Sequence, residues 1–180
     1  ASAVHINIFG SQPIVVTGSE EQKARWLPDF AAGRVKACFG VTEPNAGLDT
    51  TAIETRAEKT GGGYVVHGRK IWTTMAGEAD KIVLLARTTP SAECARKTEG
   101  LSLFYTDLDR RYVDVRPIPK MGRAAINSNE VFIDGLPVPA DDLIGEEGRG
   151  FEYILSSLNP ERVLVGAEAV GIGQSAFLRH

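Results

Sequence analysis

Between residues 36 and 133 the apolar positions alternate with polar ones in short runs, and outside that interval they return at helical spacing. The alternating runs fall at 36–41, 52–59, 64–72, 81–87, 101–105, 113–117 and 130–133, separated by polar or glycine-rich turns such as Gly61-Gly62-Gly63 and His67-Gly68. No helix-length periodic segment lies between them. A sheet built this way has no crossover helices, so the pattern predicts an antiparallel sandwich or barrel rather than a parallel sheet. No G-x-G-x-x-G follows a strand, which excludes dinucleotide binding in the Rossmann manner.

The flanks read as helix. Residues 2–9 form a short apolar piece that Gly10 and Pro13 are expected to stop. Ser19 and Gln22 have capping-box spacing, Glu20 and Glu21 suit the positive end of a helix dipole, and Gly33 supplies a stop. Ala24, Trp26, Leu27, Phe30 and Ala31 share one face of that helix, a packing face with no chemistry of its own. Near the other end, Asn159-Pro160 predicts an N-cap followed by a proline in the first helical position. Beyond it Val163, Leu164, Val165, Val170, Ile172 and Phe177 cover most of the helix circumference, the pattern of a helix buried by other helices. Those helices are not in the sequence, and the chain reads as a segment of a longer protein.

Composition narrows this picture a little. At 180 residues, with 43% hydrophobic and 24% charged residues, the chain can bury one core and a second small one. A net charge of −3 without basic runs argues against a nucleic-acid binder or an anionic membrane surface, and no apolar run reaches the roughly 20 residues of a membrane span. Cys38 and Cys94 lack metal-ligand spacing, and His5, His67 and His180 are isolated; a reducing compartment is the better fit, although the sequence leaves a disulfide open. The polar loop 88–100 reads as solvated surface.

The chemistry is expected in two stretches. Cys38-Phe39-Gly40-Val41-Thr42-Glu43-Pro44-Asn45-Ala46-Gly47-Leu48-Asp49 runs an apolar strand into a rigid turn and then into glycine and an acid; Lys70-Ile71-Trp72-Thr73-Thr74 ends the 64–72 strand. Together they resemble the flavin-binding signatures of the acyl-CoA dehydrogenase family, T-E-P-x-x-G-S-D and W-[IT]-T. Phe132-Ile133-Asp134-Gly135-Leu136-Pro137-Val138-Pro139, Leu143-Ile144-Gly145 and Gly148-Arg149-Gly150-Phe151 are similar to the segments that close the family's middle domain and lead into its C-terminal helices. The resemblance implies an α+β chain: residues 1–36 ending an N-terminal helical domain, 37–147 forming an antiparallel β-barrel or sandwich that binds flavin and acyl-CoA, and 148–180 starting a C-terminal helical bundle.

It also implies a reaction, the FAD-dependent α,β-dehydrogenation of acyl-CoA thioesters, in which a carboxylate takes the α-proton and a hydride leaves the β-carbon for flavin N5. By the same resemblance Trp72 stacks on the flavin, Thr74 lies near its N5, Val41 and Thr42 bond its polar edge, Phe39 packs beneath, and Gly47 and Thr73 belong to the same site. Leu48 replaces the family's serine and loses its hydroxyl, a change worth ~0.5–1.5 kcal/mol per hydrogen bond, while greasing the acyl channel. Glu161 stands where a branch of the family carries its base, and Arg162 and Asn159 are the expected substrate contacts; Glu168 on the same helix and a glutamate beyond residue 180 are the alternatives for the base. A glutamate in the first turn of a helix is also favoured by the dipole alone. The remaining implied properties are an electron-transfer flavoprotein as partner, a homodimer or homotetramer, and a bacterial cytoplasm or mitochondrial matrix as setting. The segment by itself is expected to hold flavin poorly and turn over nothing. A flavin monooxygenase or nitroalkane-oxidase-like relative, and a non-enzymatic DNA-binding flavoprotein, are the competing readings.

Overall fold

The computed structural model describes residues 2–122 and 125–179, with backbone only for residues 2–9; His180 and the side chain of His5 lie outside what is described. Two helices lead in. α1 (Ser2–Thr17) runs through Gly10 and Pro13 instead of stopping there. Proline inside a helix loses one backbone bond and costs about 3 kcal/mol. Burial of Gly10, Pro13 and Ile14 in the contacts of α1 with α2 (Glu20–Ala31) and the last helix offsets that cost. The expected capping box opens α2: the Gln22 N–H donates to Ser19 Oγ at 3.2 Å and the Ser19 N–H to Gln22 Oε1 at 3.0 Å. Gln22 Nε2 goes on to donate to the carbonyls of Asp141 and Leu143, which pins α2 to the sheet.

Eight strands follow: β1 (Ala37–Gly40), β2 (Arg56–Thr60), β3 (Gly63–Thr74), β4 (Lys81–Arg87), β5 (Leu101–Asp107), β6 (Val113–Pro117), β7 (Ser128–Pro139) and β8 (Leu143–Ile144). They form one sheet in the order β6-β7-β3-β2-β4-β5-β8, antiparallel throughout except along one edge of β4. There β1 pairs in parallel with Lys81 to Leu84, and β2 takes over in parallel at Arg87. β7 extends beyond the expected 130–133 because Leu136 and Val138 keep the alternation and pair opposite Val66 and Tyr64. The 52–59 run divides into a single 3₁₀ turn at Thr50–Ala52 and the shorter β2.

Strands β4 and β5 are buried on both faces. Ile82, Leu84 and Phe104 enter the core enclosed by the sheet with Val66, Val131 and Leu136, whereas Val83, Leu85, Leu103 and Tyr105 meet Ile14, Trp26, Ile144 and Ile154 beneath the helices. Trp26 sets its ring edge-on to Tyr105 at 5.0 Å. Cys38 is buried, and both cysteines are free thiols.

The last helix, α3 (Gly150–Phe177), is continuous through Asn159 and Pro160, so the helix start expected at Pro160 lies ten residues earlier, at Gly150. That glycine is what lets the helix begin against the sheet: a Cβ on it would lie 2.6 Å from the Leu103 nitrogen and the Ser102 carbonyl carbon. Ile154 and Ser157 are buried in the first turns, while Val163, Leu164, Val165, Val170, Ile172 and Phe177 are exposed. Among the described residues no helix is long and apolar enough to cross a membrane.

Candidate flavin and acyl-CoA cleft

The two stretches singled out in the sequence meet. A cleft of about 400 Å³ is lined by Phe39, Val41 and Thr42 at the end of β1, by Gly47, Leu48 and Thr50 from the loop that follows, by Ile71, Trp72 and Thr74 of β3, and by Leu158, Glu161 and Arg162 of α3. Nine of the expected site residues are thus brought together. Thr73 and Asn159 are not. The bulge after Lys70 turns Thr73 to the same inner face as Lys70, where it is buried; among the described residues its hydroxyl has no partner, and its carbonyl accepts from Asn129 Nδ2. Asn159 is exposed on α3 and bonds Arg162 Nη1 at 3.0 Å. Glu168 lies two turns further along α3, away from the cleft, among Gly171, Ile172 and Arg179.

A bulge presents Trp72. Lys70 pairs with Val131 and Thr73 with Asn129, so three steps along β3 oppose two along β7, and the surplus falls at Ile71-Trp72. Trp72 takes φ +59° and Met75 φ +61°, left-handed values that cost a non-glycine residue on the order of 1 kcal/mol or more. The result is an indole 55% exposed, with Thr42 and Thr74 half-buried beside it. Across from it, the loop is held by Asp49, whose Oδ1 accepts from Thr51 N–H at 3.0 Å and Thr51 Oγ1 at 2.5 Å; these bonds, the hydroxyl's above all, hold its carboxyl below the usual range. Gly47 is exposed, and a Cβ there would meet open space; Leu48 is fully exposed.

Behind the cleft lies a charged pair that the alternation could have revealed. Lys70 shares the buried face of β3 with Tyr64 and Val66 and is itself wholly buried. Its three ammonium hydrogens find three acceptors: Glu43 Oε1 at 2.7 Å, the Leu85 carbonyl at 2.7 Å and the Val41 carbonyl at 3.2 Å. Glu43 accepts from the amides of Glu54 (2.7 Å) and Thr55 (3.1 Å) and from Thr55 Oγ1 (2.5 Å). Burial pulls the Lys70 ammonium down to about 8. Burial alone raises the Glu43 carboxyl, but the Lys70 charge and the bonds from Glu54, Lys70 and Thr55 outweigh it and hold the group below its ordinary 4.5.

The wall of the cleft suits a planar ring that is apolar on its faces and polar at its edge: an exposed indole and the side chains of Phe39, Val41, Ile71 and Leu158 alternate with the hydroxyls of Thr42, Thr50 and Thr74. Thr50, Ile71 and Leu158 escaped the sequence reading because nothing local marks them. The continuity of α3 also bears on Glu161, which stands eleven residues past Gly150, about three turns in and out of reach of the helix's positive end. Its place in the cleft therefore needs another account than the dipole.

Comparison with known proteins follows the same division of the chain. The model for the acyl-CoA dehydrogenase middle domain matches residues 38–136, and that for the N-terminal domain matches residues 1–34. An acyl-CoA dehydrogenase of Bacillus subtilis is 34% identical over 176 residues, 97% of this chain and 45% of that protein. Among solved structures, a glutaryl-coenzyme A dehydrogenase in complex with glutaryl-CoA superposes with a TM-score of 0.87 at 30% identity, over 96% of this chain and 43% of that one. Butyryl-CoA dehydrogenase from Megasphaera elsdenii gives 0.85 at 31% identity, over 96% and 45%. The chain spans less than half the length of these relatives.

Proposed function

The chain belongs to the acyl-CoA dehydrogenase family, and from that premise we propose that it carries the flavin-facing wall and the base of an enzyme that oxidises acyl-CoA thioesters between Cα and Cβ. The observation that carries the reading is the convergence of Trp72, Thr42, Thr74 and Glu161 on one cleft from three separate parts of the chain. The cofactor is FAD, whose ring, when bound, accepts the hydride that leaves the β-carbon. Trp72 covers the ring's face, and Thr42 and Thr74 bond its edge. Phe39 and Val41 close the apolar floor. Leu48 offers the acyl chain an apolar lip where the family's serine offers a hydroxyl.

Glu161 takes the α-proton. It is half-buried at the α3 side of the cleft, next to Arg162, with the apolar Leu158 one turn back. Hydrogen bonds to the thioester oxygen must lower the acidity gap between a carboxylate and an α-carbon proton before that transfer is feasible. Arg162, tied to Asn159, orients the substrate at this wall. Thr73 serves the site by packing β3 rather than by touching the cofactor. Electrons leave to an electron-transfer flavoprotein, and the working form is a homo-oligomer.

Anaerobic mixing of the flavin-loaded full-length protein with saturated acyl-CoAs of several chain lengths tests the reaction. Bleaching of the flavin with formation of the enoyl-CoA is the expected result. Bleaching by none of them, or turnover only when oxygen is admitted, would replace this reading with an oxygenase or a non-enzymatic one.

A further inference from the structure

The edge of β4 is shared by two strands, and the place where one hands over to the other leaves backbone groups without ladder partners. β1 pairs as far as Gly40–Leu84, and β2 begins at Arg56–Arg87. Between those points stand the carbonyls of Val41 and Leu85, and both are taken by Lys70 Nζ. On the facing side the amides of Glu54 and Thr55 are taken by the Glu43 carboxylate. The ion pair fills a seam in the sheet, with each charge fully hydrogen-bonded.

The seam touches the cleft through one peptide unit. Every described peptide is trans, so the Thr42 N–H points opposite to the Val41 carbonyl. That carbonyl faces the buried ammonium; the N–H therefore faces away from the seam, to the side where Val41, Thr42, Ile71 and Trp72 wall the cleft. The next carbonyl, of Thr42, is fixed by the Ile71 N–H at 2.9 Å, which ties the same segment to the bulge that presents Trp72. Among the described residues the Thr42 N–H itself has no acceptor. A cation on a carbonyl withdraws electron density through the amide and strengthens the N–H of the same unit as a donor.

We propose that Lys70 is a positioning residue for the cofactor: by gripping the Val41 carbonyl it aims and polarises the Thr42 N–H toward the polar edge of the flavin, and so stabilises the electron-rich reduced ring over the oxidised one. This rests on the reading of the cleft as a flavin site. Glu43 neutralises the ammonium and holds it in register, and the bulge keeps the ring at the distance the N–H serves.

The test compares two variants of the intact, flavin-loaded protein. Lys70→Met with Glu43→Gln removes both charges together, leaving no unpaired ion in the core. Thr55→Val loosens the same seam but leaves the ammonium on Val41. The double variant is expected to favour reduced flavin about tenfold less, the scale of one hydrogen bond to a charged group. That fold-change lowers the two-electron potential by about 30 mV. Thr55→Val should leave the potential unchanged. An unchanged potential in the double variant, or an equal fall in both, overturns the proposal, since a merely structural Lys70 predicts one or the other. Should the double variant not fold, wild-type protein labelled with ¹⁵N-threonine decides: the Thr42 amide proton moves downfield as flavin is titrated in, and the absence of any response overturns the proposal. Full-length wild-type protein that takes up no flavin at all refutes the flavin reading itself, a separate outcome.

Discussion

The two walls of the cleft are built differently. The sheet wall is fixed several times over: Val41 by Lys70, Thr42 by Ile71, and Trp72 by a bulge between two long paired strands. The helix wall rests on the first turns of α3, anchored by Gly150, Ile154 and Ser157, and past Arg162 its apolar residues stand in solvent. A surface meant to hold one rigid ring gains from such over-determination, because each bond lost leaves others in place. A wall meant to bring a carboxylate to a substrate needs only one side chain at the right height. On the proposed reading of the cleft, the difference matches cofactor placement by the sheet and proton transfer from the helix.

The sharpest way to break that division is Glu161→Gln. It should lower kcat by roughly 10²–10⁴-fold, the range of a lost general base, with flavin content and flavin affinity unchanged. Loss of flavin together with activity would show that the two walls are not separate. Next in size is Trp72→Ala, expected to weaken flavin binding by about ten- to a hundredfold, as one aromatic stack is worth ~1–3 kcal/mol. Trp72→Gly should lose the same affinity yet melt higher than the alanine variant, since glycine accepts φ +59° without strain. Fluorescence titration and thermal melts separate the two effects.

Gly150→Ala addresses the helix wall alone. Its Cβ would press on the backbone of Ser102 and Leu103. The expected cost is about 1–3 kcal/mol of stability in chemical denaturation, with kcat falling more than flavin affinity. The smallest effect is a pH slope. The Glu43 carboxyl sits below its unfolded value of 4.5, so its contribution to stability is full above that pH and is lost as acid takes it through the folded value. Thr55→Val removes one bond to the ionised group; it should be less stable than wild type by about 1–3 kcal/mol at pH 7, and the gap should close as the pH falls through the lowered folded value. A gap that is constant with pH would mean that Thr55 does not hold the charged form.

Much of this was legible in the chain. Alternation locates seven of the eight strands, and the family resemblance of the stretches around Thr42 and Trp72 points to one site. What failed did so where tertiary packing overrides a local signal. Pro13 and Pro160 are each read locally as helix breakers or starters, yet both lie inside helices that pack on the fold nearby: Gly10, Pro13 and Ile14 are buried in α1, and Ile154 and Ser157 in the turns of α3 before Pro160. Lys70 was passed over for a different reason: a lysine at an inward position contradicts its own polarity, and only the distant Glu43, Val41 and Leu85 make sense of it. Thr73 illustrates the converse. It sits in the motif, but the bulge at Ile71-Trp72 breaks the two-residue period of the strand and turns it to the inner face.

The seam on β4 has a further consequence, for the order in which the molecule is assembled. It joins β1, the loop before β2, β3 and β4, and no two of these can close it. The bonds span separations of up to 29 residues, so each adds loop-closure entropy before any of them stabilises the chain. This side of the cleft should accordingly form late and all at once. The amides of Glu54 and Thr55, which only the finished seam protects, would be the last in this part of the sheet to slow in a pulsed hydrogen-exchange experiment during refolding. A chain arrested before that step would have its strands and no place for a cofactor.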